Sequence, residues 1–312
     1  MRKLRLVPPN TKIRFIEQRP LSFAVSVLFV GLSIFFFFVS GLNYGVDFTG
    51  GIIMEVRTSG PTDLGSMRSA LTGLDLGEVE LQEFGSPNDL LIRIQAQKGD
   101  ERAQQAAVER VKGALGPNVD YRRTEFVGPK VSEELFWDGI IAVALSLIAM
   151  MIYIAFRFEW QFGVCGIIAL GHDVISTVGL FSVLQLDFNL TTVAALLTIA
   201  GYSINDTVVV YDRVRENLRK YKAMPLPQLF NLSINETLSR TIMTSLTTFL
   251  AVIALFFLGG EVIHGFSLAM IYGIIFGTYS SIFVALPLLL YMDLPRRQIA
   301  AEAEAAAKKA PA

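Results

Sequence analysis

The chain has 312 residues, 52% of them apolar, and 27 Lys and Arg against 28 Asp and Glu, a formal net charge of −1. So apolar a composition excludes an ordinary soluble globular domain, and the charge balance gives no basis for a nucleic-acid partner. One cysteine, Cys165, leaves no internal disulfide to staple any domain.

Residues 1–20 form a basic tail with Arg2, Lys3, Arg5, Lys12, Arg14 and Arg19, and residues 21–40 are an apolar run. A run of about twenty residues is long enough to cross a bilayer core of roughly 30 Å. It exceeds a usual signal-peptide core, and "FFFFVSGLN" offers no small-residue cleavage site, so the run is expected to stay as an anchor.

Residues 41–134 alternate strand and helix signals. Period-two β-branched or aromatic patterns predict strands in "GGIIMEVRT", "VELQEFGS", "DLLIRIQAQ" and "NVDYRRTEFVG". Helical spacing of Leu64, Met67, Leu71 and Leu74, opened by Pro61, Thr62 and Asp63, predicts one helix, and Ala103, Ala107, Val111 and Leu115 predict another that stops at Gly116-Pro117. The order β-α-β-β-α-β is the split βαβ pattern of a small α+β, ferredoxin-like domain. Fifteen acidic against ten basic side chains give it a balance of −5. Its first turn, "GLNYGVDFTGG", brings Asp47 next to Gly50 and Gly51, either as a plain chain reversal or as a nest for a ligand.

Further apolar runs near 135–156, 162–184, 190–211, 241–258 and 264–291 bring the spans to six, so the fold class is a polytopic α-helical membrane protein carrying the small α+β domain. Lys and Arg gather in the N-terminal tail, in a connection at about 212–240 (Arg213, Arg215, Arg219, Lys220, Lys222 and Arg240) and in the tail at 292–312. By the positive-inside bias both termini are expected to be cytoplasmic, with residues 41–134 on the far side. Leu229, Leu232, Ile234 and Leu238 suggest an amphipathic helix lying on the membrane surface.

The spans carry polar side chains that a lipid-facing helix does not need. On the fourth, "GYSINDTVVVYDRVREN", a helical wheel places Thr191, Thr198, Tyr202, Asn205, Asp206 and Arg213 in one sector, with Val193, Leu197, Ile204 and Val208 on the opposite, lipid side. The fifth has Thr241, Thr244, Ser245 and Thr248 on one stripe just after Arg240. The third contributes His172 and Asp173, and the sixth pairs Gly273 with Gly277 at a spacing that lets helices approach closely. A mid-span aspartate costs roughly 2.5–3.5 kcal/mol on insertion scales, so Asp206 requires a partner, water or a proton. A proton exchanged as Arg240 approaches and retreats makes it a transport switch, and a lasting Asp206–Arg240 pair makes it a structural feature. Hydroxyl stripes also serve as helix packing, and His172 as a packing histidine.

No zinc site, phosphate loop or serine or cysteine nucleophile constellation is present, so neither an enzyme nor a cofactor is expected. Five ordered signatures, "GVDFTGG", "ALGHDVIS", "GYSINDTVVVYDRVREN", "ETLSRTIMTSLTT" and "LGGEVIHGFSLAMIYGIIFGTYSSIFVALPLLL", resemble the SecF family of the bacterial SecD/SecF protein-export complex over about residues 20–295. The resemblance implies a multi-pass protein of the bacterial inner membrane with a periplasmic domain. It implies pairing with SecD into a twelve-span unit of the resistance-nodulation-division superfamily. It also implies use of the proton motive force to draw preproteins from the SecYEG channel after the SecA motor has inserted them. Protons are then the coupling ion, Asp206 and Arg240 the proton-relay residues, and Asp173 the counterpart of the aspartate in the family's "HDV". The alternative within the superfamily is a small-molecule or lipid exporter, for which a far-side domain of this size provides little substrate path.

Overall fold

The computed structural model describes residues 8, 11–60, 64–77, 79–84, 86–97, 99, 101–116, 119–260 and 263–294. The expected helix cap at Pro61–Asp63, the stop at Pro117 and most of both tails lie outside these residues. In chain order the elements are α1 (Arg19–Val39), β1 (Asn43–Tyr44), α2 (Val46–Thr49), β2 (Gly51–Thr58), α3 (Leu64–Thr72), β3 (Val79–Phe84), β4 (Ser86–Ile94), α4 (Glu101–Leu115) and β5 (Val119–Val127). There follow α5 (Pro129–Arg157), α6 (Trp160–Leu184), β6 (Asp187–Phe188), α7 (Leu190–Lys220), α8 (Leu226–Leu258) and α9 (His264–Ser280). Among the described residues, six helical segments are long and apolar enough to cross a membrane.

The chain divides into two compact units. One, Asn43–Val143 with Asp187–Val193, contains an antiparallel sheet in the order β3-β4-β2-β5. Ile52, Met54 and Val56 of β2 and Leu90, Ile92 and Ile94 of β4 alternate onto one buried face. Leu71 of α3 and Ala107 and Val111 of α4 pack on that face, with Leu64, Met67, Leu74 and Leu115 at its margin, as the helical spacings predict. The opposite face carries charge: Arg57 Nε and Nη2 donate to Asp89 at 2.5 Å each, and Arg123 bridges Glu55 (3.3 Å) and Glu125 (2.6 Å). The Arg57 guanidinium holds the Asp89 carboxyl at about 2, below its ordinary 3.8. In the same unit β1 and β6 form a short parallel ladder.

The other unit, Met1–Leu42, Ala144–Leu186 and Ala194–Ala312, holds the greater part of the long helices. α6, α7 and α9 are its inner helices, with 50–61% of their membrane-length windows buried against 6–17% for the others. Their side chains explain why. Gly273 of α9 meets Ile199 of α7 so closely that a Cβ there would stand 2.3 Å from Ile199 Cγ1, and Gly179 of α6 meets Ser33 of α1 in the same way, at 2.2 Å. α9 then passes into a π-helical turn, Ser281–Ala285. Pro287 has no N–H to give the carbonyl four residues back, that of Phe283, and Ser22 Oγ of α1 donates to that carbonyl instead at 3.2 Å.

Three expectations change. Val193 is buried, and Ile204 and Val208 pack against the core, so that side of α7 does not face lipid. A single helix's hydrophobicity does not say whether lipid or neighbouring helices cover its apolar side, and on the polar side Thr198 and Asn205 are exposed. The second span begins at Pro129 rather than 135, since proline suits a first helical turn whose N–H is unpaired anyway. The stretch 212–240 contains no separate surface helix: α7 continues to Lys220, residues 221–225 turn the chain, and α8 starts with Pro227 in its first turn. Leu229, Ile234 and Leu238 are then buried in the core.

Candidate functional site

α7 places Asp206 among the inner helices, with 2% of its surface exposed. Ser245 Oγ of α8 reaches Asp206 Oδ2 over 3.4 Å, a long hydrogen bond, and also lies 2.8 Å from Thr278 Oγ1 of α9. No ion pair forms at this carboxyl among the described residues. The Arg240 guanidinium is exposed and makes neither a hydrogen bond nor an ion pair among them, although its charge acts on Asp206.

The rest of the α8 stripe mostly serves its own helix. Thr244 Oγ1 donates to the carbonyls of Arg240 (3.1 Å) and Thr241 (2.9 Å) while lying beside Asp206, and Thr248 Oγ1 donates to Thr244 O at 3.0 Å. Such back-bonding satisfies a hydroxyl in a helix without a neighbour. Thr241 Oγ1 is buried with no partner among the described residues. Asn205 is exposed on α7, away from the carboxyl beside it in sequence.

Asp173 forms a second node on α6, fully buried. Ser203 Oγ of α7 (2.5 Å) and Ser280 Oγ of α9 (2.7 Å) both donate to its Oδ2, while His172 Nδ1 lies 2.9 Å from Oδ1. His172 Nε2 is buried with no partner among the described residues. The two nodes are neighbours in the framework: Ser203 precedes Asp206 by three residues on α7, and Thr278 precedes Ser280 by two on α9. Thr207 Oγ1 and Ser281 Oγ, 2.8 Å apart, close a further link between the same helices.

Arg213, in the wheel's sector with Asp206, also meets α8, but its partners are carboxylates of the α7–α8 hairpin. Its Nε donates to Glu236 at 2.7 Å and its Nη1 to Glu216 at 2.6 Å, and Asn217 Nδ2 joins Glu236 at 2.7 Å. That cluster serves the α7–α8 hairpin, while Arg157–Asp212 at 2.6 Å and Arg215–Glu159 at 2.9 Å join the α5–α6 connection to α7. Sequence reasoning also missed Ser203, Thr207, Thr278, Ser280 and Ser281. The available signal was "GTYSS", four polar residues inside an apolar run, of which only the glycine spacing was used. Among the described residues no three His, Cys, Asp or Glu side chains cluster as metal ligands.

Comparison with known proteins bears on this arrangement. Residues 107–294 match the family model for the protein export membrane protein SecD/SecF, C-terminal, and residues 35–62 match the SecD/SecF GG motif. The chain is 50% identical over 298 residues to the protein translocase subunit SecF of Magnetococcus marinus, covering 94% of this chain and 96% of that protein. It is 47% identical over 290 residues to SecF of Rickettsia prowazekii, covering 92% and 93%. The crystal structure of SecDF from Thermus thermophilus, a translocon-associated membrane protein, superposes with a TM-score of 0.83 at 38% identity over 93% of this chain. A SecDF structure in a super-membrane-facing form gives 0.68 at 36% identity over 99%. The chain spans 39% and 41% of those two longer proteins. With this much of its length matched on both sides, the chain belongs to the SecF family of protein translocase subunits, and it is a multi-pass membrane protein.

Proposed function

We propose that the chain works as the proton-coupled SecF-type half of a twelve-span complex with SecD in the bacterial inner membrane. Both termini are cytoplasmic, and the β-α-β-β-α-β unit is a ferredoxin-like periplasmic domain. The complex uses the proton motive force to promote export of preproteins through SecYEG after SecA-driven insertion, and the chain itself is not an enzyme and uses no cofactor. One observation carries the proposal: Asp206 is buried in α7 with one long hydrogen bond from Ser245 and no ion pair among the described residues. A carboxyl so placed is kept neutral by a proton, and ionises when water or a cation reaches it.

Arg240 is the available cation. Its side chain is unengaged among the described residues, so approach to Asp206 and retreat from it breaks no other pair. Approach favours proton release and retreat favours uptake, which makes the α7–α8 pair a two-state element. Asp173, in contrast, has three side-chain partners and serves as the node that holds α6, α7 and α9 together. The test is gradient-driven export in proteoliposomes containing the complete SecD-paired complex and SecYEG with SecA. Asp206→Asn is expected to abolish the gradient-dependent component while assembly with SecD is kept. Full export by that variant refutes the relay. Gradient-driven efflux of a dye or lipid with no effect on preproteins would favour the small-molecule exporter instead.

A further inference from the structure

The turn "GVDFTGG" has a role in the structure that its sequence left open. Asp47 Oδ2 accepts a hydrogen bond from the backbone N–H of Leu190, the first residue of α7, at 2.9 Å. That helix start already has its own cap, since Asn189 Oδ1 accepts from Thr192 N–H at 3.0 Å and from Thr191 Oγ1 at 2.6 Å. The Leu190 N–H, a donor that this cap leaves unpaired, takes its acceptor from a distant part of the chain. That bond ties α7 to something else.

What it ties α7 to is the sheet. Asp47 follows β1, which pairs in parallel with β6, Asn43 opposite Asp187 and Tyr44 opposite Phe188. Asn43 Nδ2 donates to Asp187 Oδ1 at 3.1 Å, and Arg93 of β4 forms an ion pair with Asp187. Two residues beyond α2, Gly51 opens β2 at φ +124°, where a Cβ would stand 2.5 Å from Ile94 O of β4. Tyr44, Phe48, Phe188 and Phe136 of α5 pack edge to face around the same turn. The central strands and the first residue of α7 are thus joined through one short turn, and α7 continues unbroken from there to Asp206, sixteen residues on.

We propose that Asp47 is a positioning residue that transmits movement between the α7 helix carrying Asp206 and the extramembrane sheet, so that losing the tie separates proton movement from export. This rests on the proton-coupled reading above. In the SecD-paired complex with SecYEG and SecA, Asp47→Ala is expected to retain abundance, assembly and a proton current within about twofold of wild type. Its gradient-driven export is expected to fall on the order of tenfold, within the usual span of coupling effects. Asp47→Asn keeps an acceptor oxygen and should retain most export. Asn43→Cys with Asp187→Cys joins ladder partners at a separation suited to a disulfide, and oxidation should restore export to Asp47→Ala.

Current without export, repaired by the cross-link, supports the tie. Full export by Asp47→Ala overturns it, and so does joint loss of current, export and assembly that the cross-link fails to repair. A wild-type complex that shows neither gradient-driven current nor export overturns the parent reading as well, which separates the two failures.

Discussion

Asp173 and Asp206 are both buried carboxyl groups on inner helices, yet their surroundings assign them opposite work. Asp173 is met by Ser203, Ser280 and His172, whereas Asp206 has Ser245 at 3.4 Å. Replacing Asp173 by Ala leaves those buried groups without their acceptor, at about 1–3 kcal/mol, and should lower the thermal unfolding midpoint in detergent. Asp206→Ala should leave that midpoint close to wild type or raise it. Asp89 gives a residue-scale test outside the membrane. Its folded value of about 2 lies below its ordinary 3.8, so its stabilising contribution is complete above about pH 4 and is lost as pH falls toward 2. Hydrogen exchange of β2 and β4 in the intact chain should show that acid loss, and Asp89→Asn should flatten it. The sequence exposed Asp206 and Asp173 because charge inside an apolar run is conspicuous. It concealed Ser203 and Thr207, since small hydroxyl residues in a helix gain meaning only from what faces them across the packing.

At the scale of elements, the long helices and the four-stranded sheet followed from apolar length and period, and the Gly273/Gly277 spacing predicted a close helix approach without naming its partner, which is α7. The interior face of α7 did not, because the hydrophobicity of Ile204 and Val208 fits a protein core as well as lipid. The leucines and isoleucine of 229–238 suggested a separate surface helix, while in the structure Pro225 and Pro227 begin the continuous α8. Gly273→Ala forces a methyl group into Ile199, with a cost of about 1–3 kcal/mol typical of overpacking. The loss should appear as a lower unfolding midpoint, and Ile199→Ala in the same chain should recover much of it. Failure of that second change to help would show that the two helices do not rely on this contact.

For the whole molecule, burial follows the three helices that carry Ser203, Asp206, Asp173 and the Thr278–Ser281 segment, whereas ion pairs lie on the sheet and around the ends of α5, α7 and α8. A polar seam inside an apolar bundle is useful where a proton must be held and released, and the relay proposed above assigns that change to Asp206 with Arg240. The most direct test is ion current through the SecD-paired complex in planar bilayers at several pH values, wild type against Asp206→Asn. The account predicts a wild-type current that depends on pH and not on Na⁺, and none from the variant at equal abundance. An unchanged current in Asp206→Asn, or a wild-type current that follows Na⁺ and ignores pH, would contradict it.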